Sequence, residues 1–185
     1  MSKLQLFYPA KPYNITQAFG ITNPSYNQFG FTKHNGIDFK IDTDGIVNAM
    51  CDGIVYDVGF NSGAGNYVRY KTNVPVEAEG KTGYVAFMYM HAKQNLVKVG
   101  DKVLAGDELM IADNTGFSTG PHTHISAYFV DNKTNTKLAG DPQTDHCFDF
   151  AKYYNGKYAA DIKEGLTAQI KKLQKAIADW ITKQK

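Results

Sequence analysis

A chain of 185 residues with 43% apolar content can bury one core and carry a tail, and its net charge of +2 lacks the basic excess of a nucleic-acid binder. Only Arg69 among its twenty basic residues is arginine, the side chain that reads guanine and phosphate with two parallel hydrogen bonds, so no nucleic-acid partner is expected. No run approaches the ~18 apolar residues of a membrane span, and two cysteines, Cys51 and Cys147, make no disulfide framework and are expected as free thiols.

Residues 1–33 read as an N-terminal segment packing on the domain formed by residues 34–155, broken by Pro9, Pro12 and Pro24, with short apolar stretches at 15–19 and 29–31. Its first residues hold no apolar stretch of the length a secretory signal needs. From Gly36 the pattern turns to β. Ile37, Phe39 and Ile41 alternate with Asp38, Lys40 and Asp42, which predicts a half-buried strand with a polar second face. A repeat, Asp-Gly-Ile-Val at 44–47 and 52–55, predicts two successive strands, each after a turn. Residues 59–65 read as a flexible loop, 66–70 as a strand and 74–83 as a longer loop. Residues 84–91 are apolar on both faces and read as a central buried strand. Gly-Asp recurs at 100–101 and 106–107, which predicts paired short strands. Residues 114–121 form a turn-rich loop and 122–130 the last strong strand.

The tail differs in kind. Ile162, Leu166, Ile170, Leu173, Ile177, Trp180 and Ile181 recur at spacings of three and four, with Lys171, Lys172, Lys175 and Lys183 on the wetter sides. This predicts an amphipathic helix over 156–185, docked on its own domain or assembled with another chain, with membrane-surface binding the lesser reading. The expected organisation is therefore mostly β and antiparallel, a sheet or sandwich over 34–155, preceded by 1–33 and followed by the helix.

Two short patterns carry chemistry: His34-Asn-Gly-Ile-Asp38 and His122-Thr-His124. A separation of two puts His122 and His124 on one face of a strand, opposite Thr123 and Ile125. His34 and Asp38, four apart, face the same way if the Asn-Gly turn allows it. Imidazole and carboxylate suit zinc, and a catalytic zinc takes three protein ligands and keeps a fourth position for water. Four candidates are one too many, so one histidine is left for another task. The chain has five histidines, and His91, closing the predicted central strand, is the fourth near these patterns. His146, between Asp145 and Cys147, reads as a turn residue. Asp42, Asp44 and Asp52 lack the spacing of a calcium loop. The loops at 61–66, 74–83 and 114–121 could wall a groove.

Four stretches resemble the lysostaphin and LytM type of zinc endopeptidases: His34-Asn-Gly-Ile-Asp38-Phe, Tyr89-Met-His91, residues 97–106, and Gly116-Phe-Ser-Thr-Gly-Pro-His122-Thr-His124. The resemblance spans residues 19–130 and implies that family's duplicated hybrid β-sheet motif. It also implies hydrolysis of peptide bonds in the stems or cross-bridges of bacterial peptidoglycan. Carried over, His34, Asp38 and His124 are the Zn2+ ligands, while His91 and His122 line the site and act on water and substrate. This chain departs from the family at Ala92, usually Leu, and in His122-Thr-His124-Ile-Ser126, usually closer to His-Leu-His-Phe-Glu. With all five functional positions intact, a non-catalytic regulator of wall hydrolases is disfavoured. The two motifs together speak against a phosphocarrier of the sugar phosphotransferase system. An enzyme of this kind works at the cell wall, and with no export signal visible the expectation is one carried in a virion or released on lysis. A virion protein or a second copy is then the expected partner for the helix.

Overall fold

The computed structural model describes residues 2–183, with the side chains of 159, 162, 163, 182 and 183 outside that description. Twelve strands and one α-helix succeed one another in chain order. The first six are β1 (Leu6–Tyr8), β2 (Ile15–Gln17), β3 (Ile37–Phe39), β4 (Ile46–Asn48), β5 (Gly53–Asn61) and β6 (Gly65–Thr72). The rest are β7 (Val76–Ala78), β8 (Lys81–Asn95), β9 (Lys102–Val103), β10 (Glu108–Ala112), β11 (Thr123–Val130), β12 (Tyr154–Tyr158) and α1 (Ala159–Lys183). An antiparallel sheet runs in the order β2-β3-β11-β8-β6-β5-β9, with β4, β7 and β10 attached at its sides, while β1 and β12 form a separate parallel pair. The architecture is mostly β with one C-terminal helix, as the pattern predicts.

Alternation along each strand sorts the two faces. Ile37 and Phe39 of β3, Phe87 and Tyr89 of β8, Tyr70 of β6 and Ile125 of β11 enter one fully buried cluster with Leu109, Met110 and Phe150. Asp38, Met88, His124 and Ser126 occupy the alternate positions and so face the other way. The 15-residue β8 pairs with β11 on one side and β6 on the other, the central strand that its two-faced apolarity demands.

Several local expectations are corrected. The predicted loop at 59–65 is mostly strand, because β5 continues to Asn61 and pairs Asn61 with Gly65 around a three-residue turn. Residues 74–83 are not a loop but hold the β7–β8 hairpin, which turns through Glu79 and Gly80, both with positive φ. The two repeats do form strands, but neither pairs internally. β4 joins β10, β5 joins β6 and β9, and β10 also joins β8. The helix does not dock on its own sheet. Leu166, Ile170, Leu173, Ile177, Trp180 and Ile181 are between 48 and 63% exposed, and α1 is tied to the rest of the chain near its start. There Lys11 pairs with Asp161, and the Tyr158 hydroxyl accepts from the Tyr13 amide. Ile162 also belongs to the predicted stripe, but its side chain is among those outside the description. Among the described residues, no helix is long and apolar enough to cross a membrane. Cys51 and Cys147 are both free, and burial pushes each thiol up to about 12.

Candidate active site

Asp38 and His124 are direct cross-strand partners of β3 and β11, so sheet register alone places the carboxylate against the imidazole. Asp38 Oδ1 lies 2.8 Å from His124 Nδ1 and 3.2 Å from His34 Nε2, and the two imidazole nitrogens are 3.0 Å apart. His34 precedes β3 and is held at its backbone by Ile21 and Gly20. Its Nδ1–H donates to the Ala18 carbonyl at 2.9 Å, which leaves the Nε2 lone pair aimed at the other two groups. Tyr26 stacks on its ring at 5.6 Å.

His91 reaches the same place by a different device. Strict alternation would send it to the core face beside Phe87 and Tyr89. Across from it, Val68 pairs with Tyr89 but Asn66 pairs with Ala92, so β8 holds one residue more than β6 over that interval. His91 takes up the excess in the left-handed region, φ 68°, which turns its ring onto the cleft side. Its Nδ1–H donates to the Thr115 carbonyl at 2.8 Å. The loop carrying Thr115 is pinned by a backbone-to-backbone approach of Gly116 and Gly65. A methyl on Gly116 would lie 2.2 Å from the Gly65 nitrogen, so neither position has room for a side chain. His122, just ahead of β11, donates from Nδ1 to the Gly120 carbonyl at 2.8 Å, with Ser118 Oγ at 3.1 Å. Its Nε2 lies 3.9 Å from Asp38 Oδ1, and its ring centroid is 4.7 Å from that of His91.

Electrostatics sharpens this geometry. Burial drives the Asp38 carboxyl up, but hydrogen bonds and charge from His124 and His34 prevail and hold it well below the usual carboxylate range. Burial lowers His124, and Asp38 only partly reverses it. Burial also pushes His91 down to about 4. Around neutrality, therefore, Asp38 is an anion and His91 and His124 are neutral.

These facts test whether a cation belongs here. With His34 Nδ1–H committed to Ala18, the His34 Nε2 lone pair faces the Asp38 carboxylate at 3.2 Å, with His124 Nδ1 2.8 Å from Asp38 Oδ1 and 3.0 Å from His34 Nε2, an arrangement that a proton or a cation among them relieves. Three ligands on a tetrahedral zinc with bonds of ~2.0–2.1 Å stand roughly 3.3 Å apart, so little movement is needed to fit one. The donor set is the one chemistry expects, and it could hold a divalent metal. Among the described residues it is also the one grouping of His, Cys, Asp and Glu within ligand distance.

The set floors a cleft of about 380 Å³. One wall is the turn at 61–64 with Phe117 and Ser118, as two of the three loops predicted. The third predicted loop, 74–83, lies elsewhere, with Glu79 bonded to Tyr153. The opposite wall has no counterpart among the predicted loops. It is a 3-10 turn, Pro24–Phe29, capped by Asn23 and bearing Tyr26 and Phe29, with Phe31 behind. Phe29 meets Phe117 edge to face at 5.2 Å across the mouth of the cleft. Three aromatics within six residues of a polar segment are the signal that could have found it. His146 bonds Gly140 and takes no part in the site, in keeping with a turn residue. Asp44 pairs with Lys93, and Asp52 accepts from the Ala105 amide.

A three-donor set of two imidazoles and a carboxylate, opening on a cleft with two more imidazoles beside it, is the donor pattern of a catalytic rather than a structural metal centre. The chain belongs to Peptidase family M23, whose pattern matches residues 32–136. It is 36% identical over 132 residues to an uncharacterized metalloprotease of Buchnera aphidicola subsp. Baizongia pistaciae, covering 69% of this chain and 31% of that protein. It is 35% identical over 109 residues to the peptidoglycan DD-endopeptidase ShyA of Vibrio cholerae serotype O1, covering 59% and 23%. The fold superposes on the catalytic domain of the antimicrobial peptidase lysostaphin from Staphylococcus simulans with a TM-score of 0.57 and 26% identity, over 74% of this chain and 88% of that one. The chain thus spans between a fifth and a third of the length of these curated relatives.

Proposed function

We propose that this protein is a zinc-dependent endopeptidase hydrolysing peptide bonds in bacterial peptidoglycan, with His34, Asp38 and His124 as the metal ligands and His91 and His122 as the proton-handling pair. The observation that carries the reading is the convergence of His34 Nε2, Asp38 Oδ1 and His124 Nδ1 at 2.8 to 3.2 Å on the floor of a substrate-sized cleft. Kinship with the DD-endopeptidase and lysostaphin supports the substrate class. Within this reading, residues 34–155 are the catalytic unit, 1–33 lend it a wall, and 156–185 are an appendage.

Zinc held there would supply Lewis acidity, lowering the pKa of a water towards about 7. The chain does the rest. His34 is locked by Ala18 in the tautomer that leaves the Nε2 lone pair free for a ligand bond. His91 and His122 are locked by Thr115 and Gly120 in the same way, so each offers an Nε2 lone pair to the cleft. One of them takes the proton from the attacking water on Nε2, and the N–H so formed then donates to the oxygen or nitrogen of the scissile amide and passes the proton to the departing amine. Tyr26, Phe29 and Phe117 give a bound peptide apolar walls.

Digestion of purified peptidoglycan with mass spectrometry of the released ends tests the reading. New amino and carboxyl termini should appear, disappear with chelator and return with zinc. A metal-loaded chain that releases nothing from either directly cross-linked or glycine-bridged peptidoglycan would overturn it.

A further inference from the structure

The exposed face of α1 has a register of its own. Written as heptads, Leu166, Leu173 and Trp180 fall at d and Ile170 and Ile177 at a, with spacings alternating between four and three. All five are more than half exposed. That repeat is 3.5 rather than 3.6 residues, the spacing that keeps a seam facing one partner helix. Ile at a with Leu at d is the choice that favours two parallel strands. Between Leu166 and Ile181 the charges sit away from the seam: Lys171, Lys172, Lys175 and Asp179 take b, c and f, while the flanking e and g positions are Thr167, Gln169, Gln174, Ala176 and Ile181.

We propose that α1 is a dimerisation helix, pairing in parallel with the same helix of a second copy of this chain. A second copy meets no like charge across these uncharged flanks. An anionic bilayer, by contrast, would be served by lysines bordering the apolar stripe, and between Leu166 and Ile181 the bordering e and g positions hold none. The six half-exposed side chains from Leu166 to Ile181 offer roughly 500–600 Å² per copy, so a pair covers about 1,000 Å², the lower bound of a specific interface. The base of the helix is fixed by Lys11 and Tyr13, so the seam stays clear of its own sheet. The inference is independent of what the cleft does. Two and a half heptads are marginal for an isolated helix, so the dimer forms at high protein concentration and dissociates on dilution.

Sedimentation of the full chain across a dilution series should give twice the chain mass at the concentrated end. Ile170→Lys with Ile177→Lys should sediment as a single chain with unchanged melting of the β-domain, since both residues lie outside its core. Lys172→Glu should change nothing. Leu166→Cys, mildly oxidised, should cross-link into a dimer, because parallel strands bring like d positions together. A wild type that stays a single chain throughout overturns the proposal. So does a trimer, or a dimer that Leu166→Cys fails to cross-link. A monomer that pellets with vesicles of equal phosphatidylcholine and phosphatidylglycerol would assign the stripe to lipid instead.

Discussion

Gly36 has no room for a β-carbon, and its substitution tests how finely the metal ligands are placed. A methyl built there would lie 2.4 Å from the Ile125 carbonyl oxygen, 2.5 Å from His124 Nε2 and 2.6 Å from its Cε1, where carbon essentially never comes within 3.0 Å. Something must therefore yield by about 0.6 Å. The Ile125 backbone is gripped from both sides, opposite Ile37 in β3 and Tyr89 in β8. His124 Nε2 has no hydrogen-bond partner, so the ring swings to clear its own two contacts, carrying Nδ1 away from Asp38 and His34, while the contact with the Ile125 carbonyl is cleared only by the backbone at Gly36 backing away from β11. Overpacking of this kind costs about 1–3 kcal/mol, and lost freedom of the unfolded chain returns about 0.4–1 kcal/mol. The net fall in stability is therefore modest. Ligand geometry is less forgiving: displacements beyond ~0.5 Å spoil a preorganised site, and disturbed support of a ligand typically lowers metal affinity about 10–100-fold. Gly36→Ala should thus lose zinc affinity by that factor and activity with it while remaining folded. Competition with a chromophoric chelator, alongside a thermal melt, measures both. Gly165→Ala, on the helix with open space around it, is the control. A Gly36→Ala protein that binds zinc and turns over like wild type would refute the argument that His124 is held by the absence of that carbon.

Asp38→Asn should abolish most zinc binding, since it removes the one anion facing two imidazoles, and elemental analysis after dialysis reads the outcome. His91→Gln and His122→Gln should each keep one zinc per chain yet lose about 10²–10⁴-fold in turnover, the usual worth of one positioned acid or base. Loss of zinc in either variant would move that residue into the ligand set. The chelated protein should also lose stability in mild acid. His91 is depressed in the folded state to about 4 from an ordinary 6.5, so its contribution is complete above 6.5 and fades as pH falls towards 4. The full effect is about 3 kcal/mol at 1.36 kcal/mol per unit. Urea midpoints at pH 7 and pH 4 for wild type and His91→Gln should converge in acid, and parallel curves would show that the imidazole charges freely in the folded chain.

What the sequence disclosed was whatever rests on local period and residue type. Alternation around Asp38 announced both the strand and the side of it that carries the carboxylate, and the spacing of His122 and His124 did the same on β11. Pairing was harder to see because it is non-local. The two Asp-Gly-Ile-Val repeats look like neighbours in sequence, yet each finds its partner elsewhere. His91 was legible as a site residue only through resemblance, because period alone would bury it in the core. A bulge set by the mismatch between β6 and β8 brings it out. The aromatic wall at Pro24–Phe29 escaped because a 3-10 turn has no apolar period to announce it. The helix was plain, but amphipathy says that a face wants cover and not where the cover comes from, so docking on its own domain and assembly with another chain read alike until the exposed stripe set the first aside.

The strand that carries His124, with His122 just ahead of it, is made late and sits in the middle. β11 lies between β3 and β8, and the contact between His34 and His124 spans 90 residues. During synthesis β3 and β8 leave the ribosome as strangers with a gap between them, and a chain that stops short of β11 lacks the third donor. Closure of such distant contacts is slow. Competence to gather the three donors is thus a property of the finished sheet, and a copy cut short before β11, or half unfolded, lacks it.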